Sequence, residues 1–420
     1  VNSVKKEIIM SINSGDNAWL LTSSAMVMLM TPGLALFYGG MVRRKNTLST
    51  IMMSFMTLGL IGILWVLYGY SLSFGKDVGG MIGGLNFIGL NNVGQIPSDI
   101  YATTVPHLTF MTFQGMFAVI SVALITGAVV ERMKFSAILI FSTIWFTIVY
   151  CPIAHWIWGG GWLSKLGALD FAGGNVVHIN AGMSALALAI LLGPRKGYKS
   201  GANLTTPHNV PFIVIGASLL WFGWFGFNAG SALTSGGLAS NAFVATNISA
   251  AAAALCWMFL NWFYHRPTAS GIATGAVAGL IAITPGAGFV KPIMGIPIGI
   301  IVSVICFYMM RLRNRTGIDE SLDVWAIHGM GGIWGAIATG IFATVAVNPL
   351  GANGLIYGNL ILIGKQLLSV IVVCAYSFGM TWLIGKFIDK IIGLRVSTAE
   401  ETIGLDISQH GESAYGEIRN

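Results

Sequence analysis

Charge is what this chain has least of. Only 9% of its 420 residues are Asp, Glu, Lys or Arg, against about 25% in a soluble globular protein. Hydrophobic residues make up 55% and the mean hydropathy is +0.77. That excludes a soluble domain and leaves a polytopic membrane protein. Cysteine is scarce too. Cys151, Cys256, Cys306 and Cys374 are widely separated, lie in or beside apolar runs and form no Cys-x-x-Cys pair. They read as small packing residues, not as a redox or metal centre. A net charge of +7 and a pI near 9.2 raise the question of nucleic acid. The basic residues, however, sit in small clusters between apolar runs, which marks them as topology signals and no phosphate-binding surface. Nor does the first apolar run, 17–42, resemble a cleavable leader. It is too long, and no clean small-residue cleavage site follows, so it reads as a membrane helix.

What is present is a succession of apolar segments and 55 glycines, the latter expected where helices pack closely in lipid. A span needs about 20 mostly apolar residues. Candidates are 17–42, 47–74, 107–130, 135–157, 174–193, 211–234, 243–263, 268–288, 293–310, 324–347 and 359–385, eleven in all. They are too uniformly apolar for barrel strands, which alternate at every second residue. Arg43-Arg44-Lys45, Arg132 with Lys134, Arg195-Lys196 with Lys199, Arg266, and Arg311 with Arg313 and Arg315 fall in alternate connections. The connections between them carry only Lys76, Lys165 and Lys291 as basic residues. The basic set is expected in the cytoplasm. The N-terminus is then outside, against the weak signal of Lys5 and Lys6, and the tail 386–420 is inside.

Two histidines stand within these segments, His178 in Asn175-Val-Val-His-Ile-Asn-Ala-Gly182 and His328 in Trp325-Ala-Ile-His-Gly-Met-Gly-Gly332. An ionisable side chain at membrane depth costs several kcal/mol unless it is paired or serves a pathway. Each is followed four residues later by glycine, and they lie 150 residues apart in spans five and ten. Five spans per unit places the second unit in the membrane upside down. The segments 17–193 and 211–347 are thus expected to be inverted repeats, each lending one histidine to a shared site, with 359–385 outside the repeat. A satisfied pair bridging helices is the alternative. Two histidines without a helix-borne Glu or Cys make a poor metal shell, so no metal and no cofactor are expected.

Other candidates lie at the outer ends of spans. Asp170, in Leu169-Asp-Phe-Ala-Gly-Gly174, precedes span five. It suits a helix cap, and it also suits a carboxylate that stabilises a cation at the mouth; the two are compatible. Phe113, Trp158 and Ser231 are placed to form a cation-binding vestibule, with Phe117 and Phe227 deeper as a constriction. Interface or core packing is the alternative for these aromatics.

At these residues the chain closely resembles the Amt/Mep/Rh family of ammonium transporters, from about residue 15 to 405. The specific runs are Thr31-Pro-Gly-Leu-Ala-Leu-Phe-Tyr-Gly-Gly40, Leu169-Asp-Phe-Ala-Gly-Gly174 leading to Val177-His-Ile-Asn-Ala-Gly182, Trp224-Phe-Gly-Phe-Asn-Ala-Gly-Ser231, and Asp323-Val-Trp-Ala-Ile-His-Gly-Met-Gly-Gly332. The resemblance implies an all-α membrane fold of eleven helices, two inverted five-helix repeats plus a final helix. It implies a transmembrane domain over 1–385, a cytoplasmic regulatory tail over 386–420, and a homotrimer in the plasma membrane with one pore per subunit. It implies an ammonium site at Trp158, Phe113 and Ser231 supported by Asp170, gating phenylalanines Phe117 and Phe227, and pore histidines His178 and His328. The tail segment Gly393-Leu-Arg-Val-Ser-Thr-Ala-Glu-Glu-Thr-Ile-Gly-Leu-Asp406 resembles the part that engages PII-type (GlnK-like) signalling proteins. Ammonium and methylammonium are the expected substrates.

The discrimination problem is physical. A simple filter passes potassium as readily as ammonium, but only ammonium can give up a proton and cross an apolar pore as a neutral molecule. The rivals are an electroneutral ammonia gas or water channel, an ammonium sensor, and an intramembrane enzyme. The last lacks a nucleophile or metal shell at sensible spacing, so no enzyme is expected. Between Gly393 and Gly404, Thr398, Glu400 and Glu401 are expected to cap a short helix or pair with Arg132 and Lys134.

Overall fold

The structure, a computed structural model, describes residues 11–198 and 206–416; Lys5, Lys6 and Lys199 lie outside them. Helical segments stand at all the expected apolar runs. They are α1 (Ser14–Met41), α2 (Arg44–Phe74), α3 (His107–Val129) and α4 (Phe135–Trp145, continuing through Phe146–Tyr150 into Cys151–Ile157). There follow α5 (Gly174–Leu192), α6 (Val210–Gly230), α7 (Gly237–Tyr264), α8 (Ala269–Ile283) and α9 (Pro292–Thr316). The last long pair is α10 (Trp325–Gly329 continuing as Met330–Phe342) and α11 (Leu360–Ile392). Among the described residues nine helices are long and apolar enough to cross a membrane; α8, at 15 residues, is shorter.

Boundaries depart from the apolar runs for local reasons. α7 starts at Gly237, earlier than 243, because its small polar residues continue the helix. α11 runs on to Ile392, beyond 385, since Lys386, Asp389 and Lys390 keep helical geometry after leaving the apolar zone; Gly393, at φ 73°, stops it. Four spans contain a π-helical turn: Trp65–Gly69, Phe146–Tyr150, Gly174–Ile179 and Trp325–Gly329. Such turns recur at functional sites, and two of these hold His178 and His328.

The packing carries an internal correspondence. α1 lies along α6, the first helix of each half. Within the halves α3 packs on α5 and α8 on α10, while α11 braces α4, α5 and α10 from outside. A small hairpin, β1 (Asp77–Val78) with β2 (Ile82–Gly83), pairs antiparallel after α2.

The basic connections gather at one face, where Arg132, Arg195 and Arg313 are buried while Arg44, Lys196, Arg266 and Arg315 stay exposed. Glu131, fully buried, binds Arg43 at 3.0 Å and Arg195 at 2.7 Å; Arg195 also binds Asp319 at 2.8 Å. Burial works to raise the Glu131 carboxyl, and the two guanidinium groups overcome it, leaving it below its ordinary range. Arg132 is buried and donates to the Ser321 hydroxyl and the Asp319 carbonyl.

The tail closes over this face. Ser397 caps the short helix α12 (Thr398–Ile403) in a reciprocal box with Glu400. Glu401 pairs with Arg395 at 2.7 Å and accepts from the Lys196 amide. Of the two expected arrangements, a capped short helix or a pairing with Arg132 and Lys134, the structure has the first: Arg132 donates to the Ser321 hydroxyl and the Asp319 carbonyl, and the Lys134 ammonium to the Ile392 carbonyl. Beyond α12, Asp406 accepts from the Ser49 amide at the start of α2, and the Tyr415 hydroxyl meets His208 and Asn209.

Candidate functional site

Asp170 organises the entrance to α5. Its Oδ1 accepts from the amides of Gly173 (2.8 Å) and Gly174 (2.6 Å), its Oδ2 from those of Asn175 (2.7 Å) and Val176 (3.2 Å). Four orphan amides at a helix start thus meet one carboxylate. Burial pushes this carboxyl above its ordinary range, and the four amides pull the other way. The carboxylate forms no wall of the vestibule. It reaches it through its main chain, whose carbonyl accepts from the Trp158 indole at 2.8 Å and so sets that ring.

The vestibule is a cavity of about 300 Å³ with Tyr101, Phe110, Gln114, Trp158, Phe171 and Ser231 in its wall. Trp158 and Ser231 share this wall. Phe113 is fully buried and not in the wall; its ring lies 5.0 Å from that of Phe117, which does line the cavity. Ser231 donates its hydroxyl proton to the Phe227 carbonyl at 2.8 Å, which leaves its oxygen lone pairs facing the cavity as acceptors. Gln114 went unassigned in the sequence although it lies between Phe113 and Phe117. Its side-chain oxygen is buried without a partner among the described residues. A buried amide oxygen left this way costs free energy unless something that donates hydrogen bonds visits it.

Below the vestibule the Phe117 and Phe227 rings, both buried, close to 4.3 Å between centroids. Next comes His178, stacked 5.4 Å from Trp224 and 6.0 Å from Phe227. The Trp224 indole is held by a 2.8 Å bond to Thr284. Nδ1 of His178 faces Nδ1 of His328 at 3.3 Å, so one ring must donate and the other accept. Nε2 of His178 is buried and has no partner among the described residues.

The glycine four residues after each histidine has a reciprocal job. A Cβ on Gly182 would come within 2.3 Å of the Gly329 backbone, beside His328. A Cβ on Gly332 would press on Ile179 at 2.9 Å and on the His178 Cβ at 3.1 Å. Each half therefore makes room for the other's histidine segment. A second correspondence was legible in the spacing and missed. Glu320 precedes His328 by eight residues, as Asp170 precedes His178. Its carboxylate accepts from the amides of Val324 (2.6 Å) and Trp325 (3.1 Å), capping the second histidine segment as Asp170 caps the first.

Comparison with known proteins gives the same identification along nearly the whole chain. The model of the Ammonium Transporter Family matches residues 18–415. An ammonium transporter of Bacillus subtilis is 50% identical over 403 residues, covering 96% of this chain and 98% of the relative. Ammonium transporter Amt1 of Archaeoglobus fulgidus is also 50% identical, covering 96% and 100%. The crystal structure of Saccharomyces cerevisiae Mep2 superimposes with a TM-score of 0.89 at 36% identity, over 97% of this chain and 93% of that one.

Proposed function

This chain belongs to the ammonium transporter family and is a multi-pass membrane protein that transports ammonium; from that premise we propose how its residues do so. Ammonium is recruited against the face of Trp158, beneath which Phe113 backs the cavity, and donates hydrogen bonds to Ser231 Oγ and Gln114 Oε1. Asp170 keeps the local potential negative and the Trp158 ring in place. The observation that carries the reading is the linear order of the site: an aromatic vestibule with two unclaimed acceptors, a closed phenylalanine pair, then two facing histidines. A cation over an aromatic face gains about 0.5–2 kcal/mol, enough to collect the ion but not to take it bare through the apolar constriction at Phe117 and Phe227. The ion therefore divides. The split takes place as the rings part: Nε2 of His178, on the ring stacked 6.0 Å from Phe227, accepts the proton directly from the ammonium between the rings, and neutral ammonia moves on. The Nδ1 proton of His178 then moves to Nδ1 of His328, which releases its own Nε2 proton inward. Potassium has no proton to give and stays outside.

Eleven helices cross the membrane in this reading, as two inverted five-helix repeats and α11. The basic face with the docked tail is cytoplasmic and the N-terminus is outside, in the plasma membrane. The alternation of basic connections supports it. A homotrimer is supported by an apolar groove of about 790 Å³ along α7 and α9, where Leu255, Phe259 and Phe263 are exposed and a neighbour's helix fits. The tail, held to the body by hydrogen bonds from Lys45 and the Lys196 and Ser49 amides and by one to Asn46, suits displacement by a PII-type partner.

Electrical recording on liposomes containing the purified protein tests the mechanism. Ammonium and methylammonium should each evoke a current and potassium none; equal responses to potassium would overturn it. Gln114→Leu and Ser231→Ala should raise the half-saturating ammonium concentration.

A further inference from the structure

The outward flank of α11 carries a groove that transport does not use. Its volume is about 640 Å³, with Ile190 of α5 on one side and Phe378, Trp382 and Leu383 of α11 on the other. The Phe378 and Trp382 rings stack at 6.0 Å and 16° as parallel ribs. Between them Gly379 leaves open space, with no atom within 4 Å of where a Cβ would sit. The lining is almost wholly apolar.

Charge fixes what can lie there. Between Lys365 and Lys386, α11 contains no charged residue. That stretch rises about 32 Å at 1.5 Å per residue, matching the roughly 30 Å hydrocarbon core of a bilayer. Lys386 therefore stands at the boundary of the core, on the side of the basic loops. Its ammonium lies 5.6 Å from the centroid of the Trp382 ring. Among the described residues neither Lys386 nor Lys390, one turn beyond it, has a carboxylate partner. The nearby carboxylate of Asp389 is turned to the Leu394 amide, at 3.0 Å. From Ala375 to Leu383 the groove covers about 12 Å, most of the hydrocarbon thickness of one leaflet. An apolar slot one leaflet deep, ending under an unpaired lysine, is complementary to a lipid with an anionic head.

We propose that this groove is a binding site for one anionic phospholipid, with an acyl chain laid over Gly379 and its phosphate on Lys386. The site rests on the membrane-spanning reading but not on the proton route, and it lies on a different flank from the α7–α9 groove. Occupancy would clamp α11 onto α5, the helix that carries His178.

Photo-crosslinking of the full chain in liposomes tests it. The probe is phosphatidylglycerol bearing a photoactivatable acyl chain, displaced by unlabelled phosphatidylglycerol or phosphatidylcholine. The label should map to the α11 peptide around Gly379, and the anionic lipid should displace it at about fivefold lower mole fraction, the worth of one lysine at a charged surface. Lys386→Gln should bring that preference below twofold. Gly379→Leu, whose side chain fills open space, should cut the crosslink at least threefold. No label on α11, a preference retained in Lys386→Gln, or an undiminished crosslink in Gly379→Leu would each overturn the proposal. Ammonium current in the same vesicles reports separately on the transport mechanism.

Discussion

Replacing Asp170 by asparagine separates the cap from a generic polar residue, and the outcome follows from the hydrogen bonds. Both carboxylate oxygens are used, each by two backbone amides at 2.6–3.2 Å. Asparagine keeps one oxygen and turns an NH2 group onto the remaining pair of donors. Two bonds to a charged acceptor are lost, each worth about 1.5–3 kcal/mol, and two amides become buried and unsatisfied. Asp170→Asn should therefore destabilise this region by roughly 3–6 kcal/mol. The loss falls on the turn Gly174–Ile179, which holds His178, and on Trp158, whose indole is tied to the Asp170 carbonyl. Ammonium current should drop by more than tenfold while the protein still inserts in the membrane, and hydrogen exchange at the amides of residues 173–176 should accelerate. Asp170→Ala should be worse, since all four amides lose their acceptor. An asparagine variant with native exchange protection and full current would refute both the cap energetics and the electrostatic role.

His178→Asp and His328→Glu should each admit potassium or alter the charge moved per substrate; unchanged selectivity and current in both would leave the pair a structural bridge. Gly182→Ala should abolish folding of the pore, because its Cβ collides with backbone at 2.3 Å, whereas Gly59→Ala, which meets open space in mid-helix, should be neutral or stabilising by about 1 kcal/mol, as thermal unfolding in detergent would register. Burial, and next the charge of Asp323, pushes the Glu320 carboxyl from 4.5 up to about 7. The group's folded pKa is raised, so its contribution to stability is complete below its unfolded value and is lost as pH rises through about 7. Glu320→Gln should therefore gain on the native protein as pH rises from about 5 to 8, and a melting difference independent of pH would contradict this. Truncation after Ile392 removes the Arg395–Glu401 pair and the Asp406 contact with α2; it should leave an assembled transporter with lowered or deregulated current, and native rates with intact inhibition by a PII-type protein would count against coupling through the tail.

Sequence by itself determined the membrane character and the helical runs, because lipid imposes a rule residue by residue: about 20 apolar side chains and no unsatisfied backbone. The matched spacing of His178 and His328, each four residues before a glycine, was also legible, and the structure brings the two rings face to face. Gly182 and Gly332 were readable only as a spacing. That each clears the other half's histidine segment depends on how α5 crosses α10, a distance of contact that no local pattern encodes. The basic loops were legible as alternate connections, but their local sequences say nothing of Glu131 and Asp319, which arrive from other connections to pair with Arg43 and Arg195. Lys134 likewise belongs to the end of α11 and not to Glu401, because the helix outlasts its apolar stretch and brings the Ile392 carbonyl within reach. Gln114 looked like any polar residue on a helix. Only the fold leaves its oxygen buried, without a partner among the described residues, in the wall of the cavity shared with Trp158 and Ser231.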